Sequence, residues 1–217
     1  MRNRNEVFVA ALRRRLAQDP GFAARLRRAA GKRADRPAIL VNWYSFVSRL
    51  PEGTIRDDPR SQARAQLVAG LFAMDRKQYR GRVAPSTESG AEAASQENDP
   101  GDGTEPSVRK KRALSFGATL RSLVKRDRAE DDPLARRLAR LIDSEMTPDG
   151  GGTLPWQLRQ LVGLVLSRDG KIDWVQLAAD LDAWDAEDRR VQKRWIRDFF
   201  RITDPTPAPE TVVASNP

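Results

Sequence analysis

The sequence predicts an all-α fold, and three observations support this prediction. Outside two polar stretches, apolar residues recur every three or four positions, which is the period of an amphipathic helix. No segment shows the strict apolar–polar alternation of a half-buried strand. Proline follows aspartate at Asp19-Pro20, Asp58-Pro59 and Asp132-Pro133, a pair typical of a helix N-cap and first helical position. We expect two packed helical bundles joined by a long, disordered acidic loop.

The first part of the chain contains four predicted helices, each with apolar residues at helical spacing. The second helix begins after Asp19 and ends at Gly31, the third stops before Pro51, and the fourth begins after Asp58. Their apolar faces are formed by Phe8, Leu12 and Leu16; by Phe22 and Leu26; by Trp43, Val47 and Leu50; and by Ala63, Leu67, Leu71 and Met74.

Five further helices are predicted after the acidic loop. The segment from Leu154 to Leu166 is apolar nearly all round, so we expect it to be a buried central helix. Asp173 is the predicted cap of the next helix, with Gln176 at the capping-box position, and the last helix is expected from about Ala186 to Arg201. The other apolar positions are Phe116, Leu120 and Leu123; Leu134, Leu138, Leu141 and Ile142; and Trp174, Leu177, Leu181 and Trp184.

The charge is distributed unevenly and divides the chain into four predicted regions. Residues 1–82 form a basic helical unit with 19 basic and 7 acidic residues. Residues 83–108 contain 6 acidic and no basic residues and few apolar ones, which is typical of a flexible loop. Residues 109–202 are predicted to form a C-terminal helical bundle, and residues 203–217 a disordered tail. The net charge of +9 favours polyanionic partners such as nucleic acids.

The composition argues against most classes of enzyme. The chain contains no Cys and no His, which excludes thiolate nucleophiles, imidazole acid–base chemistry and Cys/His zinc sites. Acidic clusters exist, but Asp58, Asp132, Asp173 and Asp185 each stand where a helix N-cap is expected. Gly150-Gly151-Gly152 lacks the lysine of a phosphate-binding loop. We therefore expect no catalytic residues, no metal and no cofactor.

The chain is expected to be cytoplasmic and to have no membrane partner. Its N-terminus is charged and lacks the apolar stretch of a secretory signal. Its longest apolar run, residues 161–166, is far shorter than the roughly 20 residues that a membrane span requires.

The last predicted helix carries its basic residues in a narrow stripe. At about 100° per residue, Arg190, Arg194, Arg197 and Arg201 fall on one side, opposite Trp195 and its apolar neighbours. Such a row of guanidinium groups is suited to a phosphate backbone, although a solvated helix face gives the same pattern. Shorter stripes occur in the second helix, at Arg25, Arg28 and Lys32, and in the fifth, at Arg121, Lys125 and Arg128.

The order of the motifs resembles the CasB family, the small subunit of the type I-E CRISPR surveillance complex Cascade. The similarity is strongest in IDWVQLAADLDAWDAEDRRVQKRWIRDFF, residues 172–200. In that family an Asp-Trp pair opens a helix, a Trp closes it, and an Arg-rich helix ends in Asp-Phe. Further similar segments are FAARLRRA at 22–29, LSFGATLRSL at 114–123, LARRLARLI at 134–142 and LPWQLRQLVGLVLS at 154–167.

This resemblance implies a non-catalytic, nucleic-acid-binding subunit that acts in antiviral defence. Its expected partners are other Cascade subunits, CRISPR RNA, target and non-target DNA, and a second copy of itself. Its expected role is to stabilise the guide RNA–target DNA hybrid and the displaced non-target strand. The resemblance implies nucleic-acid contacts at Arg27, Arg28, Arg121, Arg136, Arg137, Arg159, Arg189, Arg190 and Lys193. Arg140 is the alternative to Arg136 and Arg137. The basic stripe of the last helix adds Arg194 and Arg197 as nucleic-acid-binding candidates.

Two other functions remain open from the sequence. A stand-alone architectural or regulatory DNA-binding protein requires base-reading side chains in a recognition helix, for which the last helix offers Gln192. A helical adaptor for acidic proteins would also use the basic faces.

Overall fold

The computed structural model describes residues 3–32, 37–80, 114–124 and 133–201. These residues form helices and no strand of a sheet, with one isolated bridge between Met146 and Gly152. The all-α class is confirmed for this part of the chain. The helices are α1 (Arg4–Gln18), α2 (Pro20–Ala29), α3 (Pro37–Val47), α4 (Pro59–Phe72), α5 (Lys77–Arg80), α6 (Phe116–Ser122), α7 (Pro133–Ile142), α8 (Leu154–Ser167), α9 (Trp174–Asp182) and α10 (Arg190–Phe200).

Several predictions concern residues outside these ranges. The loop at 83–108, the tail at 203–217, the cap at Asp132, and the cations Lys125 and Arg128 are among them. The proposed boundaries of the two helical units also stay a prediction.

Three of the predicted helix caps are confirmed. Asp19 accepts a hydrogen bond from the backbone N–H of Phe22 at 2.7 Å, and Asp58 accepts one from Ser61 at 2.8 Å. Asp173 caps α9 by accepting a hydrogen bond from a backbone N–H three residues later, at 3.0 Å. The backbone hydrogen bond from Ser61 holds the pKa of the Asp58 carboxyl below its ordinary value, because the donor stabilises the charged form.

The last helix starts later than predicted. It begins at Arg190 rather than near Ala186, and the preceding Arg189 has a left-handed backbone with φ of 50°. The side chain of Asp188 accepts a hydrogen bond from the backbone N–H of Arg190 at 3.1 Å. The prediction that Asp185 caps this helix is wrong, since its carboxylate binds arginines of α4 instead. The short helix α5 was not predicted.

The hydrophobic core is continuous across the described part of the chain. It includes residues of every helix from α1 to α10. Helix α9 packs against α1 and α4, so it connects the C-terminal half with the N-terminal half. Helix α2 also packs against α4, and the Cβ that a larger residue would add at Gly70 would lie 2.9 Å from the backbone of Ala30.

A charged cluster reinforces the contact of α9 with α1 and α4. Arg64 of α4 is 9% exposed; it donates to the Asp182 carbonyl oxygen at 3.1 Å and pairs with the carboxylate of Asp185. Arg4 of α1 pairs with the Asp182 carboxylate at 2.7 Å. Arg60 lies 3.4 Å from the carboxylate of Asp185. The cationic side chains thus lie at the C-terminal end of α9, where the helix dipole favours positive charge.

Helices α6 and α10 are in close backbone contact. A Cβ added at Gly117 of α6 would lie 2.0 Å from the carbonyl oxygen of Trp195 in α10. The ring of Phe116 lies against the indole of Trp195, with centroids 5.1 Å apart. Ser115, the N-cap of α6, donates a hydrogen bond to Asp198 of α10. The glycine in the segment LSFGATLRSL is therefore required for this approach of the two helices.

Candidate nucleic-acid interface

The structure separates the basic stripe predicted for α10 into residues with different environments. Arg190 and Lys193 are exposed, and no ion pair involves either side chain among the described residues. Arg194 lies partly buried and pairs with Asp180 of α9. Arg197 is half-buried, and Arg201 ends the helix in a left-handed conformation. The stripe is continuous on the helix but not on the molecular surface.

Asp180 joins α9 to α10 through its buried carboxylate. Its side chain is 1% exposed and accepts hydrogen bonds from Gln176, Arg194 and the indole of Trp195, the last at 2.5 Å. Gln176 was predicted to complete a capping box at the start of α9. Its side chain instead points along the helix to Asp180, because the buried carboxylate requires donors. Arg194 thus has a structural partner within the protein.

Helices α7 and α10 both carry exposed cations, and we call these residues together the α7–α10 surface. The side chain of Arg189 donates to the carbonyl oxygen of Ile142 at 2.8 Å, which brings the start of α10 to the end of α7. A weaker contact of 3.5 Å joins Arg189 to Asp143. The exposed cations of this surface are Arg136, Arg137, Arg140, Arg190 and Lys193. None of these five makes an ion pair with another described residue.

A second group of predicted residues lies where the end of α2 meets the start of α8. Arg159 of α8 donates a hydrogen bond to the carbonyl oxygen of Ala30, directly after α2. Arg27 and Arg28 occupy the last turn of α2, where Arg27 is half-buried and Arg28 is exposed. Arg159 therefore stabilises the C-terminus of α2, and Arg28 is the most accessible cation of the three.

Arg121 lies in the last turn of α6 and is half-buried. Its Nε is buried and has no hydrogen-bond partner, while other atoms of the side chain make contacts within the protein. Arg121 thus lies on the helix that packs against α10, and it is not one of the exposed cations of the α7–α10 surface.

The structure removes the support for a base-reading helix. Gln192 is 4% exposed and donates a hydrogen bond to the carbonyl oxygen of Trp184 at 2.7 Å. It therefore cannot present its amide to the edge of a base while α10 is folded. Among the described residues, no group of carboxylates is arranged to hold a metal ion, and no helix is both long and apolar enough to cross a membrane.

The pattern of the CRISPR-associated protein Cse2 family matches residues 22–200 of the sequence. The chain belongs to this family. The matched range includes all eleven residues predicted to bind nucleic acid. No curated protein sequence matches the chain.

Solved structures agree with this assignment. CasB from M. ruber is 26% identical, with a TM-score of 0.61, and the match covers 93% of this chain and 94% of that one. CasB from Thermus thermophilus is 20% identical, with a TM-score of 0.56 over 91% of this chain and 97% of that one. A chain of a CRISPR RNA-guided surveillance complex is 19% identical, with a TM-score of 0.58 over 91% and 92%. The resemblance to CasB is confirmed.

Two residues of the site region were missed by sequence reasoning. Asp180 lies three residues after Leu177 and four before Trp184, so it is on the apolar face of α9. A carboxylate on a core face requires a hydrogen-bond or ion-pair partner inside the protein. The position of Asp180 in the sequence is therefore a signal for the buried contacts that the structure shows. Trp156 lies in the segment expected to form a buried central helix, but it is 55% exposed.

Proposed function

We propose that this protein is a non-catalytic subunit of a CRISPR RNA-guided surveillance complex, in which it binds nucleic-acid backbones through the α7–α10 surface. The observation that carries the proposal is the set of five exposed cations on that surface, none of which is paired with another described residue. Side chains without an internal partner are available to phosphates. Membership in the Cse2 family over residues 22–200 supports the assembly into such a complex.

The chemistry of the surface favours backbone contacts over sequence reading. Its exposed side chains are arginine and lysine, which neutralise phosphates, whereas the amide of Gln192 is buried. In guide-directed recognition, base pairing reads the sequence and the protein contacts the shape and backbone of the hybrid. The proposed ligands are accordingly the guide RNA–target DNA hybrid and the displaced non-target strand, held by Arg136, Arg137, Arg190 and Lys193, with Arg28 at the end of α2.

Binding by the isolated protein tests the nucleic-acid part of the proposal. Fluorescence anisotropy with labelled duplex DNA at low salt is expected to show weak, sequence-independent binding that falls steeply as salt is added. In the double variant Arg190→Gln/Lys193→Gln, the slope of log K against log salt becomes shallower by about two, because each lost phosphate contact contributes about 0.9.

The control variant removes the same charge elsewhere. Arg168 and Lys171 are exposed residues between α8 and α9, and Arg168→Gln/Lys171→Gln lowers the net charge equally. This control is expected to keep the slope of the wild-type protein. Equal losses in both double variants contradict a localised α7–α10 surface and indicate a general effect of net charge.

Assembly is tested by co-expression of the chain with the other Cascade subunits and a guide RNA. Native mass spectrometry of the purified particle is expected to show this protein incorporated in two copies. A particle that assembles without the chain, while the chain itself stays soluble, contradicts the proposed role in the complex.

A further inference from the structure

Trp156 differs from the other tryptophans of the protein in its exposure. Its side chain lies in the first turn of α8 and is 55% exposed. The remaining tryptophans, Trp43, Trp174, Trp184 and Trp195, are each at most 3% exposed. A large aromatic ring in water forgoes the free energy of burial that the other four gain. The fold does not use this indole for its core.

The first turn of α8, which carries Trp156, lies beside the end of α2. The carbonyl oxygen of Pro155, the neighbour of Trp156, would lie 3.2 Å from a Cβ at Gly31, just after α2. Arg159, one turn further along α8, bonds to the carbonyl of Ala30. Because α2 ends with Arg27 and Arg28 immediately before this contact, the first turn of α8, which carries Trp156, adjoins a basic helix end.

The backbone at Trp156 also has an available donor. Thr153, the N-cap of α8, makes no side-chain capping bond. The N–H of Leu154 donates to the carbonyl oxygen of Glu145 at 3.0 Å, and Pro155 has no N–H. Among the described residues no acceptor contacts the N–H of Trp156. An anion that reaches this helix start meets a free donor next to the aromatic ring.

We propose that Trp156 stacks on an unpaired base of a single-stranded nucleic acid whose phosphates lie against the cations at the end of α2. This inference rests on the proposed function and adds the chemical class of the ligand, an unpaired nucleobase. Every base has an aromatic face, so stacking requires no particular sequence and agrees with backbone-directed binding. The positive surroundings favour a polyanion over an apolar protein segment as the occupant, by charge complementarity.

Tryptophan fluorescence of the full-length protein tests this proposal directly. Because the other four indoles are buried, quenching by acrylamide and by a ligand reports mainly on Trp156. An oligothymidylate of about 15 nucleotides, within the site sizes usual for single-strand binding, is expected to quench the emission and to protect it from acrylamide. A duplex of the same length is expected to bind with little change in emission.

The variant Trp156→Leu keeps an apolar side chain but removes the stacking surface. It is expected to bind the oligothymidylate about fivefold or more weakly, with unchanged affinity for the duplex. The variant Trp156→Phe is expected to recover part of the loss, because a smaller aromatic ring still stacks. Thermal unfolding serves as the control for folding, since the exposed side chain contributes little to the core.

Three results would overturn the inference. If the single strand binds and the Trp156 emission stays unchanged, the stacking role is wrong while the proposed function stands. If no nucleic acid binds even at low salt, the proposed function fails and the stacking role with it. If acrylamide protection of Trp156 arises only when the other subunits assemble, the indole is a protein contact instead.

Discussion

Removal of the Asp180 carboxylate provides a direct test of how α10 is held. In the variant Asp180→Ala, the indole N–H of Trp195 loses its acceptor at a site that is 0% exposed. Arg194 loses its partner as well, although its side chain is 39% exposed and can turn towards water. The loss at Trp195 is the more costly of the two, because its indole is buried whereas Arg194 is partly exposed to water.

The expected cost follows from the burial of these two partners. A buried donor without an acceptor costs about 1–3 kcal/mol, which applies to Trp195. The ion pair of a partly exposed arginine contributes at most about 1 kcal/mol after solvent screening. We therefore expect Asp180→Ala to lower the free energy of unfolding by about 2–4 kcal/mol. The variant Arg194→Ala leaves a carboxylate that is 1% exposed with donors from Gln176 and Trp195 but without its cation, so we expect a cost of about 1–3 kcal/mol.

Urea unfolding followed by circular dichroism measures both costs, and the double variant completes a mutant cycle. The sum of the two single costs is expected to exceed the cost of the double variant by a coupling of about 1 kcal/mol. Arg190→Ala is the matched control, because Arg190 lies one turn earlier on the same helix, exposed and unpaired. It is expected to change stability by less than about 0.5 kcal/mol. Additive costs, or equal effects at Arg190 and Arg194, would refute the structural role of Arg194.

Three further substitutions test other contacts. Gly117→Ala places a methyl group 2.0 Å from the Trp195 carbonyl oxygen, and we expect a loss of about 3 kcal/mol or more in urea unfolding; near wild-type stability would show that α6 and α10 separate easily. Arg64→Met is expected to cost about 1.5–3 kcal/mol through its lost bonds to α9, and a smaller value would mean that Asp185 finds another partner. Asp58→Ala is expected to cost about 1 kcal/mol at pH 7. Because the folded pKa of Asp58 lies below its ordinary 3.8, this cost persists above that pH and shrinks as pH falls further, whereas a pH-independent cost would exclude a role of the charge.

Local features of the fold were predictable from the sequence because their causes lie within a few residues. The caps at Asp19, Asp58 and Asp173 depend on a side chain and a backbone N–H three positions later. The all-α class follows equally from periodic apolar residues. None of these predictions depends on what the helix packs against.

Features that depend on a second helix were harder to predict. The angular position of Arg194 on α10 is the same as that of its neighbours in the stripe, and only Asp180 on α9 distinguishes it. Likewise, the residues of α8 are apolar nearly all round, yet the adjacent helices cover one side and leave Trp156 exposed. Helix α10 starts at Arg190 rather than near Ala186, since the carboxylate of Asp185 pairs with Arg64 of α4 and does not cap the helix.

The close contact of α6 with α10 has a consequence for how the protein is made. Helix α6 begins at Phe116, whereas its main partner ends at Phe200, near the end of the described chain. Helices α1 and α4 likewise pack against α9, which is synthesised later and ends at Asp182. At roughly 5–20 residues per second of translation, the nascent chain carries uncovered apolar surfaces for several seconds after α4 leaves the ribosome. The native core therefore cannot be completed before α10 has been synthesised, and a chain truncated before α10 lacks the helix that covers α6.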